Sequence, residues 1–114
     1  MINSCTLDNK KIQGTYIGNF SKNIDSIKID KSGFYERVIY DNNKNLIFKN
    51  KSTYILNNGS ISFNDFLLNE NDLNNNTKYD ANDLLNANLN YSINLIGEVK
   101  FVVDYDNEYY YFKK

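Results

Sequence analysis

Val99-Lys100-Phe101-Val102-Val103-Asp104-Tyr105, then Asp106-Asn107, then Glu108-Tyr109-Tyr110-Tyr111-Phe112 is the most strongly β-forming text in the 114-residue chain. Two runs rich in β-branched and aromatic residues flank an Asp-Asn pair. Branched and aromatic side chains pack well on a pleated surface, and Asp and Asn tolerate turn geometry, so the stretch reads as a hairpin. Alternation puts Tyr109 and Tyr111 on one face, Tyr110 and Phe112 on the other, and one face must be covered by the rest of the chain.

The same grammar recurs upstream. Tyr91 to Ile96 reads as a strand that breaks at Gly97-Glu98. Ile12, Tyr16 and Phe20 share one face of a segment with Gly14 and Gly18 between them. Ser26 to Asp30 alternates, Lys31-Ser32-Gly33 turns, and Phe34 to Tyr40 returns with Phe34, Val38 and Tyr40 on one side. Asp41 to Asn45 forms the next turn, followed by strands at Leu46–Lys49 and Ser52–Leu56 around Asn50-Lys51. Asn57-Asn58-Gly59 carries the Asn-Gly signal of a type I′ hairpin, and Ile61, Phe63 and Phe66-Leu67-Leu68 follow. Asn69 to Lys78 is almost wholly polar and reads as a long loop. From Asp80 to Ala87, the spacing of Ala81, Leu84, Leu85 and Asn88 predicts a short helix with Asp80 as N-cap.

Eight or nine strands joined by short turns, with one long loop and short helix around 69–89, predict an all-β fold. A single antiparallel up-and-down β-barrel, or a strongly curled sheet, is the economical form because closure hides the edges a meander exposes. The length fits one domain spanning 1–114.

Apolar content of 41%, with 15% aromatic residues and a formal charge of only −1, is the balance of a folded chain. Charge is unevenly spread. Residues 1–54 hold nine Lys or Arg against five Asp or Glu, a net +4, whereas 55–114 hold four against nine, a net −5. The acidic half favours a cationic protein partner and disfavours nucleic acid, for which no basic, aromatic-interleaved stripe is present.

Histidine is absent, which excludes Ser-His-Asp and Cys-His nucleophilic systems and removes the commonest metal ligand. No Gly-rich phosphate loop occurs. The expectation is a protein that is not an enzyme, with no catalytic residues and no cofactor. Asp72, Asn74, Asn76, Asp80 and Asp83 follow the ligand spacing of a calcium loop, but Thr77 replaces the turn Gly and Asp83 the bidentate Glu, so no metal site is expected. Cys5 is the sole cysteine, which excludes an intramolecular disulfide. Met1 to Ser4 carries neither the charged nor the apolar region of a signal peptide, so a cytoplasmic location is expected. Translation from an upstream start would instead make Cys5 a lipidation site. No apolar run approaches the ~18 residues that span a bilayer.

Gly14-x-Tyr16 resembles the Gly-x-Trp start of lipocalin-like barrels, and Val103-Asp104-Tyr105-Asp106-Asn107 with Tyr109 and Tyr111 is similar to their Thr-Asp-Tyr motif and following tyrosines. Tyr16 stands in place of Trp, Val103 in place of Thr, and no arginine lies near the C-terminus. The resemblance implies an up-and-down barrel and, as one functional expectation, a carrier of a small apolar ligand with a pocket lined by Tyr16, Phe34, Val38, Phe101 and Val103. The leading expectation comes from the charge: a small bacterial immunity protein that neutralises a cognate toxin, most concretely a nuclease. Asp65, Glu70, Asp72, Asp80, Asp83, Asp104, Asp106 and Glu108 would mimic phosphates, with Tyr109 and Tyr111 supplying contact area.

Overall fold

The computed structural model describes residues 10–20, 22–67 and 84–114. Eight antiparallel strands run in chain order: β1 (Gly14–Gly18), β2 (Ile24–Ile29), β3 (Phe34–Tyr40), β4 (Leu46–Asn57), β5 (Ser60–Leu67), β6 (Leu84–Ile93), β7 (Val99–Asp104) and β8 (Tyr109–Lys113). Each pairs with its sequence neighbour, and β8 returns to β1 to close the barrel, with Ile17 opposite Phe112 and Gly18 opposite Tyr111. Closure leaves no edge among the described strands exposed to pairing with another chain.

Short-range chemistry makes the turns. The Asp30 carboxylate accepts the Ser32 hydroxyl and the backbone N–H groups of Ser32 and Phe34, at 2.7, 2.9 and 3.1 Å, and so closes the β2–β3 turn. Asp41 does the same for β3–β4 through the N–H groups of Asn43 and Asn45. Such side-chain caps are the mechanism behind the turn preference of Asp.

Eight strands enclose a space that side chains just fill. Here aromatic rings fill it. Tyr16 stacks on Phe101 at 4.2 Å, Phe101 meets Phe63 edge-on at 5.9 Å, and Phe63 stacks on Phe66 at 4.7 Å. Tyr35 contacts Phe63, and Tyr111 contacts Phe20. Offset and edge-to-face pairs of this kind add about 0.5–1.5 kcal/mol each beyond their area burial. At one mouth the Tyr16 hydroxyl donates to the Ile12 carbonyl at 2.6 Å, seating residues 10–12 beneath the barrel wall.

Four readings of the sequence are corrected. Leu46–Asn57 is one twelve-residue strand, because Asn50 and Lys51 pair across to Arg37 and Glu36 without a break. Leu84 to Ala87, expected in a helix, belongs to β6, where Ala87 and Leu89 alternate into the core at a period of two. Leu95 and Ile96 leave the strand and sit on the β6–β7 turn. At Asn58-Gly59 only the glycine takes a positive φ, 84°, so the turn is not type I′. The loop expected at 69–78 and Asp80 as N-cap lie outside the described residues.

Candidate functional site

Strand β3 inverts the expected inside and outside. Tyr35, Arg37 and Ile39 point inward and are fully buried, while Phe34 and Tyr40 are exposed and Val38 is half-buried on the outer face. Phe34 and Val38 therefore cannot line an interior pocket. Tyr16 and Phe101 do lie inside, but stacked on each other, and Val103 packs against the same core half-buried. The interior position expected for a ligand holds rings.

It also holds a polar centre that sequence reasoning missed. Arg37, the chain's sole arginine, donates from Nε and Nη2 to the two Asp25 carboxylate oxygens at 2.6 and 2.8 Å. Its Nη1 donates to the Leu67 carbonyl at 2.7 Å. The guanidinium stacks over the Phe66 ring, 4.3 Å from its centroid. Asp25 and Arg37 are 0% and 1% exposed. Burial opposes the Arg37 charge, but the adjoining Asp25 carboxylate and Tyr111 outweigh it and hold the guanidinium more firmly protonated than in water. A bidentate pair with further hydrogen bonds to the Leu67 carbonyl and the Tyr111 hydroxyl meets the conditions under which a buried ion pair is tolerated. The signal in the sequence was a lone Arg at an inward period with Tyr35 and Ile39, and an Asp on the neighbouring strand two residues along, opposite Ile39 and so diagonal to Arg37.

The expected partner residues separate into three groups. Asp104, Asp106 and Glu108 come together at the β7–β8 turn, which spans 105–108 rather than two residues. Asp104 is half-buried and serves the turn: Oδ1 accepts the Asp106 N–H at 3.1 Å, and Oδ2 accepts the Asn107 side-chain amide at 2.7 Å. Asp106 and Glu108 are exposed. Asn19, between β1 and β2, anchors the turn from the side, donating to the Glu108 carbonyl and accepting the Tyr110 N–H at 3.1 and 2.8 Å. Asp65 sits elsewhere, exposed on the β5 wall two strands from β7, where its carboxylate accepts the Ser52 hydroxyl. Glu70, Asp72, Asp80 and Asp83 lie outside the described residues.

Of the two tyrosines expected at the surface, Tyr109 is half-buried and packs against the core, and Tyr111 is fully buried. Tyr111 cannot meet a partner: its ring faces Phe20 and Phe66, and its hydroxyl joins the Asp25–Arg37 pair. The outward aromatics of β8 are Tyr110 and Phe112, and Lys100 Nζ lies 4.1 Å above the Tyr110 ring.

Among the described residues no cluster of His, Cys, Asp or Glu could hold a metal ion, and no helix is long and apolar enough to cross a membrane. No protein family, curated protein or solved structure matches the chain.

Proposed function

We propose that the protein is a non-enzymatic binding module whose acidic barrel end docks a cationic protein, most concretely an immunity protein that neutralises a cognate toxin. The observation that carries this reading is the β7–β8 turn. It presents the Asp106 and Glu108 carboxylates on a backbone held at both sides, by Asp104 from within and by Asn19 across the closing strands. A rigid display of like charge raises association rates with a basic surface and loses little entropy on docking. Lys22 and Lys44 in the neighbouring turns dilute the charge without removing it.

The test is co-expression with the product of the adjacent gene, followed by co-purification and a rescue-of-growth measurement. Asp106→Lys with Glu108→Lys should slow association and reduce rescue. Full rescue by that variant would overturn the acidic-end mechanism.

A further inference from the structure

In an up-and-down barrel, alternate turns share an end. The end opposite the acidic turn carries the β2–β3, β4–β5 and β6–β7 turns, together with residues 10–12 and the finish of β8. Two features coincide there. The first is Leu95-Ile96 at the tip of the β6–β7 turn, 106% and 81% exposed. Nothing about the turn forces aliphatic residues to stand in water. The turn is built without their side chains: Asn94 Oδ1 accepts the N–H groups of Ile96 and Glu98 at 3.1 and 2.9 Å, its Nδ2 donates to the Glu98 carboxylate, and Gly97 supplies the positive φ. The pair is held out on a fixed loop.

The second feature is charge. Among the described residues, Lys10, Lys11, Lys31, Lys113 and Lys114 belong to this end, against Asp30 and Glu98. Continuity with the tip is direct: a surface groove of about 360 Å³ runs from Asn94 and Glu98 to Lys100, Phe112 and Lys113, and Lys113 Nζ donates to the Lys11 carbonyl. The exposed ring of Phe112 lines it.

We propose that this end docks on an anionic lipid surface, with Leu95 and Ile96 entering the acyl boundary and the lysines resting on the headgroups. A protruding aliphatic tip, flanked by lysines and the Phe112 ring, is the pattern of interfacial insertion, in which apolar burial and attraction to anionic lipid add. A protein partner would have to offer a preformed pocket for Leu95 and Ile96, whereas a fluid acyl boundary admits apolar atoms at the point of a convex turn without one. The inference uses residues remote from the acidic turn and does not rest on the toxin reading.

The chain has no tryptophan, so Leu95→Trp places a single reporter at the tip. With vesicles of phosphatidylcholine containing phosphatidylglycerol, its emission should shift to the blue and be quenched by brominated acyl chains; with phosphatidylcholine alone it should not. In vesicle flotation, Leu95→Ser with Ile96→Ser should weaken binding by more than about tenfold. Replacement of Lys10, Lys11 and Lys31 by Gln should weaken it by about fivefold per lysine. Matching thermal unfolding of the variants and the parent shows that the fold is kept. Emission that stays at its water value, or flotation indifferent to the Leu95/Ile96 pair, overturns the proposal, and binding of an acidic protein without vesicle binding does so equally.

Discussion

Arg37 and Tyr111, 74 residues apart, meet across the barrel: Arg37 Nη2 donates to the Tyr111 hydroxyl at 2.8 Å, and that hydroxyl donates on to Asp25 at 2.7 Å. Arg37 is on β3 and Tyr111 on β8, strands that share no ladder. The network therefore couples the closing strand to the opposite wall, and any sheet that fails to close leaves it incomplete.

Removal of one partner should be far worse than removal of both. Arg37→Met strands the Asp25 carboxylate in a dry interior, and loss of about 3–5 kcal/mol is expected from urea unfolding. The double variant Arg37→Met with Asp25→Leu should recover part of that loss, because replacing a buried pair with apolar side chains is often near neutral. Additive losses in the double-mutant cycle would mean that the two side chains act independently.

The sequence was readable where one face was apolar and the turn chemistry was local. The β7–β8 hairpin and the turns at Asp30 and Asp41 follow from such signals. It misled where both faces were apolar. On β3, Phe34, Val38 and Tyr40 alternate with Tyr35, Arg37 and Ile39, and the arginine made the true core face look like the wet one. Only a long-range fact resolves this: Asp25 arrives from β2 at 2.6 Å and lets the charge be buried. The same blindness hid Tyr111, whose hydroxyl looked like contact surface until its two buried partners were in place. In β4, Asn50 and Lys51 read as a turn because no local pattern reports the long-range partners that hold a polar pair in mid-strand: Lys51 is on the exposed face opposite Glu36, while Asn50 lies opposite Arg37 and donates to the Asp65 carbonyl.

Gly18 marks the closure seam, and enlarging it should open the barrel. A Cβ at Gly18 would stand 2.9 Å from Phe20 Cε1 and 3.2 Å from Tyr111 Cε1. Both rings are packed in the core, so neither can yield freely. Gly18→Val should destabilise the fold by about 1–3 kcal/mol, typical of overpacking. Weakened amide-exchange protection should be concentrated in β1 and β8; uniform loss across all strands would contradict a local seam.

Acid should weaken the turns that Asp30 and Asp41 close. The Ser32 hydroxyl and the backbone N–H groups of Phe34 and Ser32 hold the Asp30 carboxyl below its usual range, and the N–H of Asn45 does most to lower Asp41. A carboxyl lowered in the folded state stabilises at pH above its unfolded value and loses that contribution as pH falls through the folded one. The urea midpoint should therefore drop on acidification below about pH 4. Asp30→Asn should be less sensitive to acid than the parent; equal slopes would show that the Asp30 charge does not stabilise its turn. Tyr16 and Tyr54 have the opposite sign. Burial raises both, and their contribution is lost as pH rises beyond the ordinary tyrosine value.

Glu108 holds a left-handed backbone, φ 57°, in the acidic turn, a conformation that costs a non-glycine residue about 1 kcal/mol. Turn geometry alone favours glycine or asparagine there, since the local bonds, Glu108 N–H to the Tyr105 carbonyl and Asn19 to the Glu108 carbonyl, use only backbone atoms of Glu108. The side chain thus adds nothing visible to the turn, and its strain is accounted for if the carboxylate serves a partner. Glu108→Gly should raise stability by about 0.5–1 kcal/mol in urea unfolding while slowing association with the adjacent gene's product, most strongly at low salt. Glu108→Asn, which keeps the left-handed tolerance and removes the charge, should slow association equally. Stabilisation without any change in association would assign the glutamate no part in binding and leave Asp106 to carry the acidic end.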